Sequence, residues 1–198
     1  MIKIALVGDI GSGKSYVARL FGYPVFNADV EVNKLYKTSK KCYRKLKKIL
    51  PDYINSFPVK KNQLSRAVMF NKNNLKKINK VVHPEIRKKM NKFIKKNKNK
   101  KIVVLDIPLL IENKINRKRD IIIFVDAKKK EINKRLKKRA NFNLKSVNRL
   151  RKLQLSVEHK KRKSDFIIKN NFNNNYVKKN VKILLRKILL NAGNNTRY

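Results

Sequence analysis

Gly8, Gly13, Lys14 and Ser15 occupy the fixed positions of the pattern G-x-x-x-x-G-K-[ST], with Gly11 and Ser12 between them and Tyr16 following. These residue types at this spacing can hold phosphate. Glycines let successive backbone N–H groups point inward with no Cβ in the way. Those groups, with the positive end of a following helix, form an anion cradle. Lys14 is placed to reach the β- and γ-phosphates of a nucleoside triphosphate, and the Ser15 hydroxyl to ligate Mg²⁺. A chance glycine-rich turn would not need the flanks this one has. Ile2–Val7 is an apolar run of strand type, and Val17, Ala18, Leu20 and Phe21 fall on one face of a helix.

Three carboxylates, one basic cluster and one histidine are the other chemical candidates. Asp29 follows a short apolar segment, Pro24-Val25-Phe26; Asp106 ends Ile102–Leu105, and Asp126 ends Ile121–Val125. In an open α/β sheet, ligands gather at the carboxyl ends of strands. A carboxylate near a γ-phosphate can accept the proton of an attacking hydroxyl or organise Mg²⁺. Asp29 suits the first role and Asp106 the second, and a strand-end or helix cap is the competing reading for each. For Asp126 the cap is preferred, because Ala127 and a helix follow. Arg135, Lys137, Lys138 and Arg139 precede a polar stretch. A mobile arginine there can neutralise charge on a transferring phosphoryl group, or the cluster is a solvated helix face. His83 either binds substrate or caps a helix that Pro84 starts.

The elements that must position these residues alternate. Continuous apolar runs at 2–7, 102–105 and 121–125 predict strands buried on both faces, as in parallel sheets. Phe166–Ile168 predicts a short last strand, and Asn170–Asn175 a loop. Helical patterns fill the remainder. The region 40–80 is helical with breaks at Pro51 and Pro58. A helix is expected to start at His83-Pro84, with Ile86, Met90, Phe93 and Ile94 buried. Another is expected from Lys129 to Arg139, a third capped by Ser146 and running to about Lys160, and a last one striped by Val177, Val181, Leu184, Leu185 and Ile188. The tail from Asn191 is expected to fray. The fold class is α/β: a parallel sheet flanked by helices.

With 198 residues, one domain is expected, and 41% hydrophobic residues suffice for a core. The formal charge is +42, from 54 Lys and Arg against 12 Asp and Glu. Such charge attracts polyanions. It is also what an AT-rich coding sequence yields in Lys and Asn, and its even spread favours composition over a binding arm. A nucleic-acid-binding module is the second function class weighed; it lacks aromatic stacking motifs and any recognised nucleic-acid fold signature. A single cysteine, Cys42, excludes an internal disulfide and a cysteine metal cluster. No leader-like or membrane-length apolar run is present, so a cytoplasmic protein without membrane partners is expected.

The sequence resembles the dephospho-coenzyme A kinases, from about residue 2 to 171. Ile10–Ser15 matches that family's loop, and Pro24–Asp29 resembles its P-V-hydrophobic-D-A-D segment. Leu64-Ser65-Arg66 through Phe70 resembles its L-D-R helix, and His83–Ile86 its H-P-hydrophobic-I. Leu105–Leu110 with Glu112 is similar to L-D-V-P-L-L-F-E, and Arg139 falls at the lid arginine. Gln154 and Ser164–Asn170 resemble Q followed by A-D-x-V-I-x-N. The departures are Asp9 for a loop glycine, Tyr16 for threonine, Asn27 for the first aspartate of D-A-D, and Phe172 for a turn glycine; the lid also lacks the usual acidic residues.

The resemblance implies a P-loop fold like that of nucleoside monophosphate kinases, treated as one domain. Its core would be 1–36, 101–138 and 164–198, with a helical coenzyme A-binding part at 37–100 and a lid at 139–152. It implies transfer from ATP, with Mg²⁺, to the ribose 3′-hydroxyl of dephospho-CoA. Gly11, Ser12, Gly13, Lys14, Ser15 and Tyr16 would bind ATP, and Ser15 and Asp106 the metal. Asp29, Lys14 and Arg139 would be catalytic. Asp29, Arg66, His83, Pro108, Leu109 and Leu110 would line the acceptor site. The expected partners are these small molecules, with no specific nucleic acid, in a monomer or weak homo-oligomer. Another nucleoside or nucleotide kinase is the alternative enzyme; adenylate-kinase-type signatures are missing, and the Pro108-Leu109-Leu110 segment argues against it.

Overall fold

The computed structural model describes residues 1–108, 110–112, 115, 119–138, 143–152 and 154–194. The strands are β1 (Ile2–Gly8), β2 (Val25–Asn27), β3 (Ile102–Asp106), β4 (Ile121–Asp126) and β5 (Phe166–Lys169). The helices are α1 (Lys14–Leu20), α2 (Ala28–Thr38), α3 (Lys40–Ile49), α4 (Lys61–Phe70), α5 (Asn73–Lys96), α6 (Lys129–Lys137), α7 (Leu144–Arg151), α8 (Val157–Arg162) and α9 (Asn174–Asn194). The chain forms two compact units: Met1–Phe26 with the chain from Asn99 onward, and Asn27–Lys98.

The first unit is built on a five-stranded parallel sheet of order β2-β3-β1-β4-β5. β1 lies between β3 and β4, with Leu6 opposite Asp106 and Gly8 opposite Val125. Alternate residues of each strand face opposite ways, and both faces are buried. Ile4, Leu6, Val104, Ile123, Val125 and Ile168 pack on Val17 and Ala18 of α1 and on Val177, Val181, Leu184 and Ile188 of α9. Val103, Leu105 and Phe124 fill the other face, where Lys161 of α8 lies 5.5 Å from the Phe124 ring. This two-sided burial explains why the strands read as unbroken apolar runs. Strands that share a direction also end on one side, so Gly8, Asp106, Asp126 and Lys169 share an edge of the sheet.

The second unit is helical. Leu35, Cys42, Leu46, Leu50, Ile54, Val59, Leu64, Ala67, Ile78 and Val82 form its core. Ser39 separates α2 from α3, its hydroxyl accepting from the Cys42 N–H at 3.1 Å. Pro51 and Pro58 fall in the irregular stretch between α3 and α4, as their missing donors dictate.

Three expectations about elements are corrected. No helix starts at Pro84: α5 runs through it from Asn73. An interior proline costs about 3 kcal/mol, but Pro84 and Lys80, whose carbonyl loses its donor, are both exposed, so water can serve that carbonyl. Buried Ile78, Val82 and Met90 hold the helix on either side, at roughly 1.5–3 kcal/mol each. Ser146 lies inside α7 rather than at a cap, and the expected single helix is two; the capping serine is Ser156, whose hydroxyl accepts from the His159 N–H at 3.1 Å. The loop after β5 is shorter than expected, since α9 begins at Asn174, and α9 continues past Asn191 to Asn194. Among the described residues, no helix is long and apolar enough to cross a membrane.

Candidate active site

The phosphate loop leaves the central strand and enters α1. Two glycines are required by what surrounds them. Gly13 has φ 89°, and a Cβ there would collide with the side-chain amide of Asn170. Gly11 has φ 83°, and its Cβ would stand 3.0 Å from Leu136 Cγ of α6. Other segments thus close on the loop from both sides and leave no room for a Cβ at either glycine. Ser12 is fully buried, and its carbonyl accepts from Asn170 Nδ2 at 2.7 Å. The Ser12 Oγ has no hydrogen-bond partner. Lys14 Nζ folds back on the loop, donating to the carbonyls of Asp9 at 2.9 Å and Gly8 at 3.2 Å. Its ammonium is therefore held within the cradle that the spacing predicts. Ser15 is exposed. The Tyr16 ring packs against the apolar cluster under the sheet, and its N–H donates to the Gly13 carbonyl at 3.0 Å.

Around the loop, Asp106 ends β3 with 3% exposure, in register with Leu6, two residues before Gly8. Ser15 and Asp106 offer hard oxygen donors of the kind Mg²⁺ takes, one or two from protein and the remainder from phosphate and water. Among the described residues, no cluster of three His, Cys, Asp or Glu could hold a metal ion. Asp126 does not cap α6, whose N-cap is Lys128; its carboxylate pairs with Lys161 at 3.2 Å. Pro108 is half-buried and Leu110 buried. Leu109 and Arg139 lie outside the described residues. Glu112 pairs with the buried Lys160 at 3.2 Å and accepts from the Leu155 N–H at 3.0 Å. Lys160 also donates to Gln154 Oε1 at 2.6 Å.

In the helical unit, Asp29 is exposed in the first turn of α2, and the Asn27 carbonyl oxygen Oδ1 caps that helix by accepting from the Val30 N–H at 2.9 Å. Asn27 thus has the cap role. Arg66 is exposed on α4. His83 is half-buried on α5; burial, then the charge of Arg87, holds its imidazole below the usual histidine value, favouring the neutral ring. Glu31 accepts from Lys89 at 2.8 Å and Lys34 at 3.1 Å, and the Lys89 bond is the main cause that lowers its carboxyl. Burial, then Glu85, pushes the Cys42 thiol up to about 11, which makes it a packing residue rather than a nucleophile.

Asn170, at the loop, is not among the site residues expected from the sequence. Asn170 stands 158 positions from the serine it holds. Its Oδ1 also accepts from the Phe172 N–H at 2.9 Å. Phe172 adopts φ 64°, a conformation that costs a residue with a Cβ roughly 1–2 kcal/mol. The chain thus keeps a glycine-type backbone with an aromatic side chain on it. The Arg135 guanidinium lies 4.6 Å from that ring's centroid, a cation–π distance. Periodicity carries no sign of such contacts; a polar Asn directly after a strand is the one local hint.

An all-parallel sheet with this loop at the end of its central strand, and helices on both faces, is the fold of the P-loop kinases. The chain belongs to the dephospho-CoA kinase family: that family's sequence model matches residues 2–175. A dephospho-CoA kinase from Wolbachia pipientis wMel is 35% identical over 96% of this chain and 99% of its own. Among solved structures, TT1252 from Thermus thermophilus superposes with a TM-score of 0.76 at 26% identity, covering 96% of this chain and 97% of that one. A dephospho-CoA kinase from Campylobacter jejuni shares the fold with a TM-score of 0.64 at 22% identity, over 94% and 96%. The chain is accordingly a kinase, with ATP as the phosphoryl donor its family implies.

Proposed function

We propose that this kinase phosphorylates the ribose 3′-hydroxyl of dephospho-CoA, giving coenzyme A and ADP, the last step of coenzyme A synthesis. The observation that carries the reading is the family match over residues 2–175, which includes the loop holding Lys14. Transfer breaks the bond between the γ-phosphorus and the β–γ bridging oxygen and makes one to O3′. Lys14 and the N–H groups of Gly11–Ser15 stabilise charge on the phosphates. Asp29 takes the hydroxyl proton as O3′ attacks. Arg139 clamps the transferring group, and Tyr16 contributes to the ATP site through the helix turn that it shares with Ser15. Ser15 and Asp106 would hold Mg²⁺, which when bound neutralises phosphate charge. Arg66, His83 and the Pro108–Leu110 turn line the acceptor site, His83 as a neutral ring that can both donate and accept.

We read residues 37–100 as the coenzyme A-binding part, 139–152 as the lid, and the remaining core as one kinase domain. The enzyme acts on small molecules in the cytoplasm, as a monomer or weak homo-oligomer. The test is ADP release from ATP with dephospho-CoA, set against a panel of nucleosides and nucleotides. Turnover with dephospho-CoA should exceed that with any panel member by orders of magnitude, and equal or faster release with adenosine or AMP would reject the acceptor.

A further inference from the structure

Arg151, the last residue of α7, reaches the phosphate loop. Its Nη2 lies 3.5 Å from Asp9 Oδ2 and 3.2 Å from Asn133 Oδ1 on α6. Its Nε is buried with no hydrogen-bond partner. A guanidinium has five donors in a rigid fork, and here one contact is long and one donor is orphaned, an arrangement that an anion with several oxygens would improve. Asp9 in turn places a carboxylate inside a cradle built for anions. Its Oδ1 accepts from the Ile10 N–H at 2.6 Å, and its carbonyl accepts from Lys14 Nζ. An unbalanced negative charge there would repel phosphate.

We propose that Arg151 is a phosphate-binding residue of the nucleotide site, held over the loop by Asp9, whose carboxylate stands in for phosphate until ATP arrives. On binding, the guanidinium exchanges the Asp9 oxygen for a phosphate oxygen and satisfies its orphaned Nε–H. Asn133 keeps hold of Nη2 and limits how far the group swings. Asp9 and Arg151 thus work as one device. The inference rests on reading the loop as an ATP site.

The experiment measures ATP affinity by calorimetry, with melting curves, for the parent, Arg151→Ala, Arg151→Lys, Asp9→Asn and the Asp9→Asn/Arg151→Ala double variant. Arg151→Ala should weaken ATP roughly tenfold or more, in the range of charge-assisted hydrogen bonds, and Arg151→Lys less. Asp9→Asn should bind ATP at least as tightly as the parent, because the competing carboxylate is gone. The double variant should stay as weak as Arg151→Ala. If the double variant regains the affinity of Asp9→Asn, the arginine only neutralises Asp9 and the proposal fails. It fails equally if Arg151→Ala binds like the parent. Should Arg151→Ala not fold, parent-like affinity in Arg151→Lys or a tenfold loss in Asp9→Asn overturns it. A parent that binds ATP but does not turn over dephospho-CoA rejects the acceptor assignment and leaves this comparison intact.

Discussion

A ribose hydroxyl is a poor nucleophile at neutral pH, so the location of its proton acceptor decides the rate. Two aspartates compete for that role. Asp106 is 3% exposed at the end of β3, in register with the strand that feeds the phosphate loop. Asp29 is exposed in the first turn of α2. Solvent access suits a base that must meet a substrate; burial beside the loop suits a metal ligand. Asp29→Asn should therefore keep ATP and dephospho-CoA binding within a few-fold while kcat falls by roughly 10²–10⁴, the usual effect of removing a general base. Asp106→Asn should raise the Mg²⁺ concentration needed for half-maximal rate. Steady-state kinetics over a metal titration separates the two. Normal kcat in Asp29→Asn with loss only in Asp106→Asn would transfer the base to Asp106.

Strands and the loop were legible at the scale of elements because their signals are local. Two-sided burial leaves uninterrupted apolar runs, and the glycines stand at motif spacing. Helix boundaries were less legible. Pro84 looked like a start because its own chemistry favours one, and only the buried partners of α5 on both sides of it show that the helix continues. Ser146 reads as a cap by residue type, yet it lies inside α7, and the serine that caps a helix in this stretch is Ser156. Most hidden was the contact between Asn170 and Ser12, since nothing near residue 12 announces a partner 158 positions away. Losing that bond leaves a buried carbonyl unsatisfied, at about 1–3 kcal/mol. Asn170→Ala should raise the KM for ATP roughly tenfold, with a smaller effect on kcat. Asn170→Asp should be worse, because a carboxylate cannot donate to the Ser12 carbonyl. An unchanged KM in both variants would mean that the loop keeps its shape without the clamp.

Across the whole molecule, the charge of +42 is the feature that a folded kinase core does not absorb. Most of it decorates exposed helix faces; α3 alone carries Lys40, Lys41, Arg44, Lys45, Lys47 and Lys48. Spread in this way, it should give RNA binding that is weak, blind to sequence and steeply dependent on salt. Filter binding between 50 and 200 mM salt, values over which such contacts lose orders of magnitude in affinity, checks this; tight binding that survives the higher salt would point to a built RNA site. The clamp on the phosphate loop has a consequence for synthesis. Translation delivers the Gly8–Ser15 motif 155 residues before the amide that pins Ser12, which belongs to Asn170. A ribosome-bound chain in that interval carries a nucleotide-binding motif that is chemically whole and mechanically unheld. It should therefore hold ATP weakly until Asn170 has been made and has docked on the loop.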